Sequence, residues 1–131
     1  VTRAEMAAFL VRALDLPRAT AGPFDDDDGH ALEAEIASLE ASGITSGCST
    51  TSFCPDRFVT RAEMAAFLVR GFGLSAAGGV PFSDMGGHFF EAEIASLEAS
   101  GITSGCSTTS FCPDRVVTRA EMAAFLIRAL A

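Results

Sequence analysis

Apolar residues follow a helical spacing in three blocks of this chain. Positions i, i+3, i+4 and i+8 of such a block lie on one face of an α-helix, which is the face that packs against a core. In the central block these positions are Met64, Phe67, Leu68 and Phe72. Glycines at 71 and 73, followed by the Gly-rich stretch 76–81, predict the end of this helix.

The start of each block carries a helix-capping signal. Thr60 and Glu63 have the spacing of a capping box, in which hydroxyl and carboxylate satisfy two backbone amides reciprocally. The same four-residue signal occurs after Thr2 and after Thr118. We therefore predict three amphipathic helices that begin at these threonines.

A second, shorter type of helix is predicted in two places. The first runs from about 30 to 42 and stops at Gly43, where Ile44 can pack back on Leu39 as in a Schellman ending. Its copy stops at Gly101. Alternating apolar patterns long enough for a strand are absent from the sequence, so we predict an all-α fold of tandem helix-loop-helix units.

The blocks belong to an internal repeat. Residues 1–11 recur at 59–69 and, apart from one Val-to-Ile change, at 117–127. Residues 33–57 are identical to 91–115. Because one copy is too small to bury an apolar face alone, we expect the copies to pack as an array.

Composition and charge restrict the possible functions. The 131 residues include 17 acidic and 9 basic side chains, and the net charge of −8 argues against nucleic-acid binding. The sequence contains no apolar run long enough for membrane insertion. His30 and His88 have no nucleophile nearby in the sequence and are predicted to cap or pack. With no catalytic or phosphate-binding motif, we predict neither an enzyme nor a cofactor.

Four cysteines form two identical spacings, Cys48 with Cys54 and Cys106 with Cys112. Three pairings are possible, and the identical loops favour the two local disulfides. A metal site would need four ligands, whereas each loop offers two thiols and no nearby histidine. Disulfide staples predict an oxidising, secreted setting. The phenylalanine inside each loop, at 53 and 111, is predicted to plug the loop onto the helices.

An acidic run, Asp25 to Asp28, precedes Gly29 and allows two interpretations. Calcium is one of them, because carboxylates near a glycine turn are its usual ligands. The other, which we favour, is a solvated acidic turn leading into a helix N-terminus. The second copy keeps only Asp84 of this run. We therefore predict no metal site.

Each copy resembles the S-layer homology module of bacterial surface proteins through a series of short motifs. In order they are F-x-D, His, Gly-Ile at a helix end, F-x-P and T-R-A-E-M-A. They stand at Phe24–Asp26, His30, Gly43–Ile44, Phe53–Pro55 and Thr60–Ala65, and again at Phe82–Asp84, His88, Gly101–Ile102, Phe111–Pro113 and Thr118–Ala123. The implied repeats are 24–74 and 82–131, preceded by the closing helix of a partial repeat at 1–16.

The resemblance implies a non-catalytic module at the bacterial cell surface that attaches non-covalently to an anionic cell-wall polysaccharide. The residues carried over from the family motifs as polysaccharide-binding are Arg3, Arg61, Arg119, Asp26, Asp84 and Phe89. An arginine at the first helical position lies beside amide donors, which favours an anion. The alternative is that Arg61 pairs with Asp56 or a neighbouring acid on a solvated surface. The aromatic expected after the histidine is Phe89 in one copy but Ala31 in the other.

A second hypothesis is a structural subunit that forms a homo-oligomer or filament. The first helix has no preceding half-repeat in this sequence. A neighbouring chain could complete it through Met6, Phe9 and Leu10, giving a head-to-tail contact. The sequence is therefore compatible with both an anchoring module and a polymer subunit.

Overall fold

Five α-helices form the fold in the computed structural model, which describes residues 1–19, 22–75, 82–85 and 87–131. They are α1 (Arg3–Leu14), α2 (Glu33–Ala41), α3 (Arg61–Phe72), α4 (Glu91–Ala99) and α5 (Arg119–Leu130). Within the described ranges the helices are accompanied by two isolated antiparallel bridges, Thr2 with Phe58 and Thr60 with Val116, and by no β-strand. The predicted all-α class is confirmed.

The three long helices begin as the capping boxes predict. In α3 the Thr60 hydroxyl accepts the Glu63 amide at 3.1 Å, and the Glu63 carboxylate accepts the Thr60 amide at 3.0 Å. The same reciprocal pair caps α1 and α5. Helix α3 ends at Phe72, and Gly73 follows with a left-handed φ of 63°. The Gly-rich stretch 76–81, which we expected to extend this ending, lies outside the described residues.

The short helices begin later than predicted. Helix α2 starts at Glu33 instead of near His30. The His30 amide donates to the Asp27 carbonyl, and the Leu32 amide donates to the His30 Nδ1 atom. These bonds form a turn, so helical geometry begins only after Leu32.

The predicted Schellman endings of both short helices are confirmed. After α2, the Ile44 amide donates to the Leu39 carbonyl at 3.2 Å and the Gly43 amide donates to the Glu40 carbonyl at 2.9 Å. Gly43 has a φ of 76°, which lies in the left-handed region that this ending requires. The equivalent bonds recur after α4.

The chain divides into two compact units, residues 1–59 (unit 1) and 60–131 (unit 2). In unit 1, α1 packs on α2, and in unit 2, α3 packs on α4. Each unit therefore joins a T-R-A-E helix to the short helix that follows it. The predicted repeats 24–74 and 82–131 do not coincide with these units, because each unit combines the end of one sequence copy with the start of the next. The repeat bounds stay a prediction.

Each unit has its own apolar core. The fully buried apolar side chains include Met6, Leu10, Ile36, Leu39 and Phe53 in unit 1, and Met64, Leu68, Met85, Ile94, Leu97 and Phe111 in unit 2. The core of unit 1 thus contains the helix that sequence reasoning left unpaired. Met6 and Leu10 are covered by their own unit.

Helix α5 differs from α1 and α3 although its sequence is nearly the same. Ala62 and Ala65 are buried on α3, whereas the equivalent Ala120 and Ala123 on α5 are exposed. Ile127 and Leu130, near the end of α5, are 71% and 56% exposed. One apolar face of α5 is therefore open to solvent in unit 2. None of the helices in the described ranges is long and apolar enough to cross a membrane.

Candidate functional site

Both predicted disulfides are present, Cys48 with Cys54 and Cys106 with Cys112. Each closes a loop between a short helix and the next T-R-A-E helix. The Cys48 amide donates to the Ser52 carbonyl at 2.9 Å, so hydrogen bonds and the covalent bond close the same turn. We call residues 45–58 and 103–116 the stapled loops.

Reduction of these disulfides is expected to destabilise each unit moderately. A closed loop of this length contributes roughly 2 kcal/mol to the free energy of unfolding in the chain-entropy model. Urea denaturation of the chain with and without a reductant measures this difference, and Cys48→Ser with Cys54→Ser confines the loss to unit 1. A reduced chain that unfolds at the same urea concentration as the oxidised chain would contradict the assignment.

A phenylalanine anchors each stapled loop, as predicted. Phe53 is fully buried and packs on Phe24 with ring centroids 5.5 Å apart. The Arg3 guanidinium lies over the Phe53 ring at 4.7 Å from its centroid, and Arg3 Nε donates to the Phe53 carbonyl at 2.7 Å. Unit 2 repeats this arrangement with Arg61 and Phe111. The T-R-A-E arginines of α1 and α3 therefore hold the loops in place.

Arg61 makes further contacts within unit 2. Its guanidinium lies 5.5 Å from the centroid of Phe125, and its Nη1 atom donates to Glu121 at 2.7 Å. Arg115 donates to the same carboxylate oxygen. Burial lowers the pKa of Arg61, while the Glu121 carboxylate acts in the opposite direction. The predicted alternative to an anion site was a pair with Asp56 or a neighbouring acid on a solvated surface. The structure instead buries Arg61 and pairs it with Glu121.

The amides at the starts of α1 and α3 are also used within their own units. The Arg3 amide donates to the Arg57 carbonyl and the Ala4 amide to the Pro55 carbonyl, both at 2.9 Å. The equivalent amides of α3 donate to the carbonyls of residues 115 and 113. An anion at either of these helix starts would have to displace a backbone carbonyl. Arg119, at the start of α5, is exposed.

The F-x-D aspartates organise the stapled loops as well. Asp26 accepts the amides of Phe53 and Cys54, each at 2.8 Å. Desolvation alone would raise the pKa of Asp26, but these two hydrogen bonds outweigh it and the pKa is lowered. Asp84 binds the second loop in the same way, and its pKa is lowered for the same reasons. Both aspartates therefore use their carboxylates for hydrogen bonds within their own unit.

The histidines cap turns, as predicted, and one of them lies beside an exposed ring. His88 Nε2 is 3.1 Å from Asp114 Oδ1, and its Nδ1 atom accepts the Phe90 amide. Phe89 is 88% exposed and meets the Phe90 ring edge to face, with centroids 4.9 Å apart. In unit 1 the same histidine geometry occurs next to Ala31, so the aromatic surface belongs to unit 2.

The acidic run does not behave as a uniformly solvated turn. Asp27 is only 2% exposed, and one of its carboxylate oxygens has no hydrogen-bond partner in the part of the chain that the structure describes. Burial, followed by the charges of Glu33, Asp28 and Asp26, raises the pKa of Asp27. The favoured interpretation of this run is therefore wrong for Asp27. The sequence did carry a signal, because the otherwise similar second copy has Met85 at this position.

Each unit also has a shallow depression where its long helix meets its short helix. The one in unit 1 has a volume of about 270 Å³ and is lined by Arg12, Arg18, Asp15 and Glu35 among others. The one in unit 2 is about 200 Å³ and includes Glu93. In unit 1 two acidic side chains accompany two arginines, and in unit 2 the charged residue among the described lining residues is Glu93. Neither depression therefore has a surplus of positive charge for an anionic ligand.

Comparison with known proteins identifies the family. A sequence profile of the S-layer homology domain matches residues 23–65 and 81–123. A surface-layer 125 kDa protein of Lysinibacillus sphaericus is 34% identical over 131 residues, which cover 96% of this chain and 11% of that protein. A cellulosome-anchoring protein of Acetivibrio thermocellus is 29% identical over 142 residues, covering 99% of this chain and 32% of that protein.

The domain also occurs within an enzyme. An endoglucanase of Bacillus sp. strain KSM-635 is 37% identical over 95 residues, which cover 72% of this chain but 10% of the enzyme. This chain thus spans between a tenth and a third of the relatives named here. The chain belongs to the S-layer homology domain family, a family of non-catalytic anchoring domains in cell-surface proteins.

Proposed function

We propose that this chain attaches its parent protein to the bacterial surface by non-covalent binding of an anionic cell-wall polysaccharide. Family membership supports the anchoring role, and one relative is named as a cellulosome-anchoring protein. The observation that carries the polysaccharide proposal is Phe89, whose side chain is 88% exposed beside the His88–Asp114 pair.

This combination of groups suits a sugar. The C–H face of a sugar ring is apolar and packs on an aromatic ring, whereas its hydroxyls need hydrogen-bond donors and acceptors. Phe90 contacts Phe89 edge to face and so limits the orientations of the Phe89 ring. His88, which precedes Phe89 in the sequence, and its partner Asp114 supply polar atoms in the same segment of unit 2. A ring held in this way loses little conformational freedom when a ligand packs on it.

The six residues carried over from the family motifs then fall into two groups. Arg3, Arg61, Asp26 and Asp84 act indirectly in this proposal, because they hold the stapled loops. Phe89 and Arg119 are exposed and are proposed to contact the polysaccharide. A surface arginine can bind a carboxylate on the polymer by paired hydrogen bonds, despite the net charge of −8 on the chain.

Replacement of Phe89 by alanine tests this proposal. We expect Phe89→Ala to weaken retention on purified cell walls about tenfold, equivalent to roughly 1.4 kcal/mol, with the fold unchanged. The measurement is co-sedimentation over a range of wall concentrations. Alanine is the natural residue at the equivalent position 31, so the variant introduces nothing foreign to the repeat.

Phe58→Ala is the matched control, because Phe58 is an exposed phenylalanine in unit 1. It should leave retention unchanged. Equal retention of Phe89→Ala and the unaltered chain would contradict the role of Phe89. Loss of retention in both variants would indicate general apolar adhesion instead of a sugar site.

Self-assembly is the second candidate function, and the exposed apolar face of α5 favours it. The contact predicted from the sequence used Met6, Phe9 and Leu10, of which Met6 and Leu10 are fully buried in unit 1 and Phe9 is partly exposed. Ile127 and Leu130 on α5 are better placed for a contact between chains because they are exposed. Electron microscopy of the oxidised chain without wall material separates the two functions, since ordered filaments would support a polymer and dispersed particles an anchor.

A further inference from the structure

A buried carboxylate oxygen in unit 1 has no partner among the described residues. It is Oδ2 of Asp27, a residue that is only 2% exposed. A buried polar atom without a hydrogen bond costs free energy, and one that persists in a native fold requires an explanation. The preceding residue, Asp26, is no comparable case because both of its carboxylate oxygens accept loop amides.

Two more carboxylates lie close to the Asp27 carboxylate. Asp28 and Glu33 each contribute one oxygen that, with an oxygen of Asp27, forms a group lying within 4.8 Å of one another. Calcium binds oxygen ligands at about 2.4 Å, so two ligands on opposite sides of one ion are about 4.8 Å apart. All three oxygens can therefore surround a single ion.

We propose that Asp27, Asp28 and Glu33 bind one calcium ion in unit 1. Asp27 provides a ligand from the buried side, and exposed Asp28 leaves the opposite side open to water ligands. Glu33 uses Oε1 to accept the Gly29 amide at 3.1 Å, which orients the carboxylate. Calcium tolerates an irregular cage completed by water, whereas magnesium requires near-octahedral geometry.

Charge and burial support the same site. Three negatively charged carboxylates whose oxygens lie within 4.8 Å of one another repel, and a divalent cation would relieve that repulsion. The rival explanation is an Asp27 that carries a proton and binds no metal. Its proton would be donated to a neighbouring carboxylate, and saturable calcium binding distinguishes this explanation from a metal site.

Unit 2 provides an internal control. Met85 is fully buried at the position equivalent to Asp27, and Gly86 replaces Asp28 in the sequence. Of the three proposed ligands, Glu33 is the one with an acidic equivalent in the second copy, which is Glu91. The same backbone therefore accepts an apolar side chain at this position, and Asp27→Met is a substitution that the repeat already contains.

Calcium titration of the whole chain tests the proposal. After removal of metal with a chelator, CaCl₂ is added to ¹⁵N-labelled protein and amide shifts are recorded together with calorimetry. The expected dissociation constant lies in the range of about 10⁻⁴ to 10⁻³ M that is typical of extracellular modules. Shifts should be confined to residues 27–33 and absent at His88 and Glu91, and MgCl₂ should bind at least tenfold more weakly.

The variants decide between a site and a diffuse charge effect. Asp27→Met should abolish calcium binding while unit 1 stays folded, and Glu33→Gln, which keeps an acceptor for Gly29, should weaken it at least tenfold. Glu91→Gln removes the equivalent charge from unit 2 and should leave the affinity unchanged. The proposal would be overturned if Asp27→Met bound calcium as tightly as the unaltered chain, or if shifts were spread over both units. Failure to saturate by about 10 mM, which is ten times the weakest expected dissociation constant, would also overturn it. Equal affinity for magnesium would overturn the choice of metal.

Discussion

Arg61→Ala is expected to lower the free energy of unfolding of unit 2 by about 3 kcal/mol. The Arg61 side chain is 2% exposed, lies over the Phe111 ring and donates to both the Phe111 carbonyl and Glu121. Its removal leaves a cavity beside Phe111 and a buried carbonyl without its donor. It also removes the positive partner of the partly buried Glu121 carboxylate. Desolvation alone would raise the pKa of Glu121, but hydrogen bonds and nearby arginines lower it.

The control is the same residue in the next copy. Arg119→Ala changes an exposed arginine at the identical motif position, and we expect an effect within about 0.5 kcal/mol. Urea denaturation measured by circular dichroism gives both values, and hydrogen exchange of core amides assigns the loss to unit 2. Equal losses in Arg61→Ala and Arg119→Ala would show that the buried contacts contribute little.

This contrast matters for assays of wall binding. Arg61→Ala is expected to reduce retention because unit 2 is partly unfolded, whatever Arg61 does to a ligand. Arg119→Ala reports on the ligand itself, since the fold is expected to survive. A binding assay on either variant is informative only beside its unfolding curve.

Gly47→Ala is expected to destabilise unit 1 by about 3 kcal/mol through overpacking and backbone strain together. Gly47 has a φ of 92°, a conformation that side chains with a Cβ rarely adopt. A Cβ there would lie 2.5 Å from the Phe24 ring, 2.5 Å from the Ser52 carbonyl oxygen and 2.6 Å from the Ser49 carbonyl oxygen. Two of the three clashes are with backbone, so relief requires the stapled loop to open.

Gly43→Ala separates the two causes. Gly43 has a φ of 76°, but a Cβ at that position meets no atom within 4 Å. Strain alone should cost about 1 kcal/mol. Thermal unfolding of both variants gives the comparison, and a loss for Gly47→Ala no larger than that for Gly43→Ala would mean that the loop accommodates a methyl group.

Sequence reasoning succeeded where the determining contacts are close in the chain. The capping box of Thr60 and Glu63 spans four residues, and the ending that joins Leu39 to Ile44 spans six. The local disulfides have a sequence separation of 6. In each of these cases the partner is fixed by spacing, so the residue types alone indicate the structure.

Contacts between residues that lie far apart in the chain could not be predicted from the sequence. Apolar periodicity indicates which face of α1 is buried, but not that the face packs on α2 of the following copy. Arg3 and Phe53 are 50 residues apart, and their hydrogen bond is set by that packing. The late start of α2 also depends on a specific turn at His30 that helix periodicity does not reveal.

The candidate sites divide in the same way. A run of aspartates ordinarily faces solvent, so the burial of Asp27 could be inferred only from Met85 in the other copy. Phe89 was identified from its motif position, yet its exposure depends on how Phe90 and the α4 start pack. The family motif names residues, whereas burial decides which of them can touch a ligand.

The offset between sequence copies and compact units has a consequence for how such arrays grow. A core forms wherever a closing helix meets the opening half of the next copy, so cores are counted by junctions and not by copies. Adding one more copy after α5 would bury its open apolar face and present an equivalent face on the new last helix. Growth by exact duplication therefore moves the exposed apolar face to the new last helix without removing it. Solubility of a long array then depends on a last helix whose outer face has become polar, or on closure of the array upon itself.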